Sequence, residues 1–321
     1  MRRRDFITLL GAAAVASETG ARGQQHQARR RVGVLLPFVN ENDGQVRQLW
    51  PAFKQRMHEL GWDEDRNIHF DVHFTTQNYD RIRAGAAELV TSQPEVIVVW
   101  SNPGLAAMKQ ATQTIPVVFA LVGDPVGSGL VQSQAHPGGN LTGFQNFERA
   151  TIGKWLELLK EVASGIRRVG VVYDQGIPAN VDFLHTAQAA SASMRVTIAA
   201  IDLRHDGDIE PALTQFAQEP SGGLVIVPNP FNSRNDGAIA AVAARLRLPA
   251  IYPFGLNAQR GGLISYGFDT IEQQRGAAVY VDRILKGEKP GDLPVQAPTK
   301  YQLIINLKTA KALGPDVPMH L

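Results

Sequence analysis

Apolar and polar positions along this chain alternate between two periods. RVGVLLPF, residues 31–38, is a short run rich in Val and Leu that stops at Pro37, the pattern of a strand buried on both faces. The next stretch, QVRQLWPAFKQRMHELG, sets Leu49, Phe53, Met57 and Leu60 three or four positions apart and ends at Gly61, which predicts an amphipathic helix with a glycine terminus. NIHFDVHF reverts to period two, with Ile68, Phe70, Val72 and Phe74 on one face. A helix (YDRIRAGAAELVTS), a fully apolar strand (EVIVVW), a helix opened by proline (PGLAAMKQATQ) and another strand (IPVVFALV) continue the alternation.

The same rhythm then starts again. TIGKWLELLKEVA, ANVDFLHTAQAASASM, DIEPALTQFAQ and DGAIAAVAARLRL predict helices, and RRVGVVYD, VTIAAIDL, GGLVIVPN and PAIYPF predict the strands among them. Strands separated by helices of this length build βαβ units, and therefore parallel sheets covered on both faces. RVGVLLPF and RRVGVVYD, about 137 residues apart, read as the first strands of two equivalent units. The expected fold class is thus α/β, with two doubly wound parallel-sheet lobes joined by a hinge. Near the end, GGLISYGFD predicts a strand. The following helix buries Ala277, Val281, Ile284 and Leu285, is capped at Asp269-Thr270 and stops at Lys286-Gly287. An extended piece and a short helix complete LPVQAPTKYQLIINLKTAKALG. These segments exceed the second lobe's complement of strands, so the simplest topology returns the chain to the first lobe. That assigns residues 30–145 plus about 265–321 to the N-terminal lobe and 146–264 to the C-terminal lobe.

The first 23 residues do not fit the alternation. Arg2, Arg3 and Arg4 precede an apolar run from Phe6 to Ala16, too short to span a bilayer, and Ala21-Arg22-Gly23 supplies small residues where a signal peptidase cuts. Residues 1–23 therefore read as a signal peptide that sends the protein to the periplasm, and Arg3-Arg4-Asp5-Phe6-Ile7 resembles a twin-arginine signal. The formal charge of +2 resides in this segment, where four Arg face Asp5 and Glu18. The remainder is near neutral and does not recommend nucleic acid as a partner. Cysteine is absent, which removes disulfides, thiol nucleophiles and thiolate metal sites.

Motifs for chemistry are scarce. There is no GxxxxGK[ST] stretch and no GxGxxG after the first strand, and no cofactor, metal or catalytic residue is expected. His69 and His73 share one face of a strand, and Asp63, Glu64 and Asp65 form an acidic loop suited to solvent. VGDPVGSGL, residues 122–130, is either a loop turned toward a ligand or a tight turn into a helix. Open α/β sheets bind ligands beyond the carboxyl ends of their strands, and polar and aromatic residues gather there. In the first lobe these are Phe38, Asn40, Ser101, Asn102, Gly123 and Asp124; in the second they are Tyr173, Asp174, Asn229, Tyr252 and Phe254. Asn40 and Asn229 also suit turn capping. Two such rims joined by a hinge form a clamp. Ser101 and Asn102 suit a carboxylate, Asp124 or Asp174 an ammonium, and Phe38, Tyr173, Tyr252 and Phe254 an apolar group. The implied ligand is a small zwitterion or polar organic acid.

The segments RRRDFITLLGAAAVAS, VGDPVGSGLV, HPGGNLTGF, GGLISYGFD and PTKYQLIINLKTAKALG together resemble the exported substrate-binding proteins of ABC importers. The likeness is to the type I periplasmic binding protein branch that includes tryptophan- and phenylalanine-type binders. It implies a monomeric, non-catalytic receptor that closes on a small-molecule solute such as an amino acid and delivers it to an ABC permease and its ATPase. It also adds Tyr266 and Asp269, near a crossover, to the ligand-binding candidates. A sensing module for a membrane partner, or an enzyme on the same fold with Asp124 or Asp174 as base, are the alternatives.

Overall fold

A computed structural model describes residues 29–75, 78–148 and 150–314. The signal peptide predicted at residues 1–23 lies outside the described residues. The first lobe is built from β1 (Arg30–Pro37), α1 (Gly44–Glu59), β2 (Ile68–Thr75), α2 (Tyr79–Thr91), β3 (Val96–Trp100), α3 (Ser101–Ala111), β4 (Val117–Val122) and β5 (Leu141–Gln145). The second begins with α4 (Thr151–Val162), β6 (Arg168–Tyr173), α5 (Pro178–Met194), β7 (Thr197–Asp202), α6 (Ile209–Ala217) and β8 (Gly222–Ile226). It continues through α7 (Pro230–Arg234), α8 (Asp236–Arg245), β9 (Ala250–Tyr252), α9 (Gly255–Gln259) and β10 (Ile264–Phe268). Then come α10 (Thr270–Leu285), β11 (Tyr301–Ile305) and α11 (Leu307–Leu313).

Each lobe is a separate sheet covered on both faces, as the alternation predicts. The first runs β2-β1-β3-β4-β5 with every pairing parallel. Val32, Val34 and Leu36 of β1 pack with Leu49, Phe53 and Met57 of α1 on one face; Leu35 packs with Ile82 and Leu89 of α2 on the other. The second sheet runs β11-β10-β9-β8-β6-β7. Trp155 and Leu156 of α4 and Phe183 of α5 cover one face, while Leu213 of α6 and Ile239 of α8 cover the other.

The late segments divide between the lobes differently from the sequence expectation, which gave residues from about 265 onward to the first lobe. β10 pairs in parallel with β9 and antiparallel with β11, so both strands belong to the second sheet, and β11 is its antiparallel edge. Ile264 and Phe268 pack into the second lobe's core, where Gly267 lets the strand lie against the Pro253 carbonyl that a Cβ would strike at 1.8 Å. What returns to the first lobe is α10. Its Ala277, Tyr280, Val281 and Leu285 join the core beside α1, and Asp269 caps it by accepting from Ile271 and Glu272 N–H. Beyond it, the backbone of Gln296 pairs beside β5, with Gln145 N–H donating to its carbonyl at 3.0 Å. The chain thus passes between lobes three times, after Gln145, at Asp269 and after Gln296, and the first and third passages run side by side.

β5 itself was not apparent from the pattern. LTGFQ holds two buried polar residues, Thr142 and Gln145, and Thr142 is satisfied by donating to the Leu293 carbonyl at 2.6 Å. Gly143 has φ of 151°, and a Cβ there would lie 2.1 Å from the Phe119 carbonyl oxygen. Only glycine fits that approach of β5 to β4.

Candidate functional site

The carboxyl ends of the two sheets face each other across a cleft between the lobes. The first lobe contributes Pro37 and Val39 at the end of β1, Gln45 at the start of α1, Trp100 to Pro103 at the β3–α3 junction, Leu121 and Gly123 at the end of β4, and Asn146 and Phe147 at the first passage. The second contributes Ile177, Ala179, Asn180 and Phe183 from the start of α5, Pro228 to Pro230 and Ser233 around α7, and Phe254 after β9. They enclose a cavity of about 50 Å³. A second cavity of about 240 Å³, bounded by Tyr79, Ala106, Ala107 and Leu130, shares Asn102, Pro103, Ile177 and Ala179 with it.

The first-lobe wall, at Ser101 and Leu121, and its margins, at Phe38 and Asp124, are held in backbone conformations that non-glycine residues rarely adopt. Phe38 (φ 60°), Ser101 (67°), Leu121 (57°) and Asp124 (39°) all lie at or just beyond strand ends. Such residues persist where their surroundings over-determine them, and they gather at binding and catalytic sites. The fixing contacts are explicit here. Phe38 N–H donates to the Thr75 carbonyl at 2.6 Å. The Asn102 amide is locked to Gly123, donating to its carbonyl at 2.7 Å and accepting its N–H at 2.9 Å. From α10, Gln273 accepts the Leu121 N–H at 2.9 Å and donates to the Gln145 carbonyl at 2.9 Å. Gln274 accepts from the Trp100 indole at 3.1 Å. The helix that returns from the second lobe therefore shapes the cleft floor.

The second-lobe wall is an asparagine network. Asn180 donates to the Pro228 carbonyl and accepts from Asn229, whose own oxygen caps α7 through the Asn232 N–H. Behind it the rings of Phe147, Trp155, Phe254 and Phe268 are clustered, with Phe147 within 4.9–5.7 Å of the others and Phe183 stacked on Trp155. Among the described residues, two lining residues carry a buried polar atom with no hydrogen-bond partner, Ser101 Oγ and Asn146 Oδ1. Asn146 is only 5% exposed. A buried polar side chain without a partner costs about 1–3 kcal/mol, so both groups remain to be satisfied.

Five of the residues anticipated from strand ends meet in this cleft: Ser101, Asn102, Gly123, Asn229 and Phe254. The others are placed elsewhere, for identifiable reasons. Asn40 is exposed in a turn, where it accepts the Asn42 N–H. Asp124 turns away to accept the Gly127 N–H at 2.8 Å, which makes the VGDPVGSGL segment a capped turn. Tyr173 and Tyr252 point into the second lobe's core, and burial raises both phenols above their ordinary value. Tyr266 stacks on Tyr301 at 5.4 Å, and Asp269 is spent as the cap of α10. Phe38 and Asp174 line a separate opening at the seam with Tyr79, Arg204 and Arg234. There Phe38 meets Tyr79 edge to face, and burial raises the Asp174 carboxyl, opposed by the Gly176 N–H.

Sequence reasoning missed Trp100, the last residue of β3, and Gln45, Asn146, Phe147, Asn180, Phe183 and Ser233, which sit in helices or at the lobe crossing. The available signals were the Asn-Phe pair directly before the second unit's first helix and the Pro-Ala-Asn run that opens α5.

Residues 41–320 match the profile of the family described as ABC transporter substrate binding protein. The chain belongs to that family. Members of the ABC transporter substrate-binding family bind small-molecule solutes and work with a transporter. Among curated proteins, the chain is similar to a tyrosine-binding protein of Clostridioides difficile (strain R20291), with 26% identity over 271 residues, 82% of this chain and 75% of the relative. Among solved structures, it is similar to a conserved domain protein from Vibrio cholerae, with TM-score 0.84 and 26% identity over 91% of this chain and 96% of that one. The ABC domain from Streptococcus pneumoniae in complex with L-Trp superposes with TM-score 0.83 at 20% identity, over 91% and 97%. The ligand-free, open structure of a substrate-binding protein with adhesive properties from Clostridium difficile gives TM-score 0.67 at 20% identity, over 90% and 96%. This fold is shared with the three solved structures.

Proposed function

We propose that the protein is the solute receptor of an ABC importer, closing its lobes on a small organic solute with an apolar body and a polar head, and handing it to a permease outside the cytoplasm. The observation that carries this reading is the pair of buried, unpartnered groups, Ser101 Oγ and Asn146 Oδ1, on residues of an interlobe cleft whose walls combine proline, aromatic and aliphatic side chains with the amides of Gln45, Asn102, Asn180 and Asn229. The head would engage those groups, and the body would extend past Asn102 and Ile177 into the adjoining cavity. An amino-acid-sized solute suits the combined space, in keeping with the tyrosine-binding relative.

Closure is a hinge motion at the three passages between lobes, and a solute favours the closed form by its differential affinity for it. Because Ser101 and Asn146 come from one lobe and Asn180, Phe183 and Ser233 from the other, only the closed form offers both walls at once. The signal-like residues 1–23 support export to the periplasm. Calorimetric titration of residues 24–321 with amino acids and organic acids tests binding, and recovery of the solute unchanged tests the absence of turnover. Uptake of the bound solute by cells with and without the gene tests the importer role.

A further inference from the structure

The space beside the cleft is partitioned at one aromatic side chain. Tyr79, Gly176 and Ile177 line both the cavity of about 240 Å³ that adjoins the cleft and the opening of about 520 Å³ at the seam. Gly176 and Ile177 belong to the second lobe, so Tyr79 is what the first lobe sets between the two spaces. The spaces differ in character. Ile82, Pro103, Ala106, Ala107 and Leu130 form much of the cavity wall, whereas Asp174, Arg204, Asp206 and Arg234 lie around the opening.

The position of Tyr79 is fixed by its neighbours. It is the first residue of α2, whose start is capped by Asn78 accepting the Arg81 N–H at 2.8 Å. Its ring meets Phe38 edge to face at 5.5 Å, and Phe38 is itself held at positive φ just beyond β1. Across the seam the turn from Asp174 to Ile177 is tied down. Asp174 accepts the Gly176 N–H at 2.7 Å, its own N–H donates to Asn180 at 3.2 Å, and the Gln175 N–H donates to Asp202 at 3.0 Å. A Cβ on Gly176 would lie 3.6 Å from the Tyr79 hydroxyl, so the phenol reaches the opposite lobe. Burial first, and then the Asp174 charge, raise its pKa above the ordinary value, which agrees with a hydroxyl lodged in the seam although the residue as a whole is 41% exposed.

Resting on the receptor reading above, in which the solute's body enters the adjoining cavity, we infer that Tyr79 is a specificity-determining residue: it ends that cavity at the seam and so limits the length of body the protein rewards with affinity. Each methylene buried short of the ring tightens binding by about 4-fold. Once the body meets the ring, further methylenes add nothing. Removing the ring vacates space beside Phe38 and Ile177 into which a longer body extends.

Two series that differ only in body length test this by calorimetry on residues 24–321: unbranched L-2-amino acids from aminobutyrate to aminodecanoate, and unbranched carboxylates from butyrate to decanoate. For the series that binds, affinity to wild type should rise with length and then stop rising. In Tyr79→Ala, checked for folding by circular dichroism, the rise should continue, so that the longest members bind the variant at least about 10-fold tighter than wild type. Tyr79→Phe keeps the ring and should keep the wild-type limit. A purely structural role would weaken every member alike and could not produce this gain. The same length limit in Tyr79→Ala, or no limit in wild type, overturns the inference while leaving the receptor reading standing. No binding of either series to wild type overturns both.

Discussion

Gln273 is the residue through which the returning helix holds the cleft, and replacing it by Met tests that role at nearly constant volume. The side chain is 6% exposed and bridges two backbone groups, the N–H of Leu121 in the cleft and the carbonyl of Gln145 at the first passage. Both partners are buried, Leu121 at 8% and Gln145 at 2% exposure, so water does not readily replace the lost bonds. Each orphaned group costs about 1–3 kcal/mol, and Met leaves little cavity to add, so a total of roughly 4 kcal/mol is expected. At ~2–4 °C per kcal/mol for a chain of this size, the thermal midpoint should fall by about 8–16 °C. Leu121 has φ of 57°, a conformation that the Gln273 bond helps to hold, so solute affinity should fall as well. Differential scanning calorimetry measures the first effect and titration the second. A midpoint within ~2 °C of wild type would refute the argument that α10 braces the cleft through this residue.

Gly143→Ala should destabilise by about 3 kcal/mol or more in urea unfolding, because its Cβ would lie 2.1 Å from the Phe119 carbonyl; a neutral result would refute the close approach of β5 to β4. Asp174→Asn tests a pH dependence. Burial raises the Asp174 carboxyl from its ordinary 3.8, with the Gly176 N–H opposing. A carboxyl so raised favours folding while protonated and loses that advantage as pH climbs through its folded pKa. The variant should therefore gain stability relative to wild type from about pH 4 toward neutrality, and a difference flat with pH would count against a desolvated carboxylate. Asp269→Ala removes the cap that accepts from Ile271 and Glu272 and should cost about 1 kcal/mol without abolishing solute binding, since Asp269 lies outside the cleft. Loss of binding in a folded Asp269→Ala protein would return that residue to the site.

The parts of the fold that could be read from the sequence are those whose burial is set locally. The spacing of Leu49, Phe53 and Met57 identified the buried face of α1, and Ala277, Val281, Ile284 and Leu285 did so for α10. β5 escaped because its polar residues are satisfied by partners distant in sequence, such as Leu293 for Thr142. The allocation of β10 and β11 escaped for a related reason, since it is decided by their pairing with each other and with β9. At the site, strand ends led to Ser101, Asn102, Gly123, Asn229 and Phe254. The rule overreached where a short carboxylate or amide caps its own turn, as Asp124, Asp269 and Asn40 do. It also overreached where a strand's alternation directs an aromatic ring inward, as at Tyr173 and Tyr252. Asn146 and Phe147 follow the carboxyl end of β5, the strand the pattern did not reveal, so the strand-end rule passed over them.

The most direct measurement is a thermal-shift comparison of residues 24–321 with the Ser101→Ala, Asn146→Ala double variant across amino acids, aromatic and aliphatic carboxylates, purines and sugars. A ligand of the folded state at ~100 times its dissociation constant adds about 2.7 kcal/mol, a shift well above detection. The account predicts stabilisation by one class that combines a polar head with an apolar body, largely lost in the double variant. Stabilisation that survives the double substitution, or no stabilisation by any class together with no solute released on denaturing the purified protein, would contradict it.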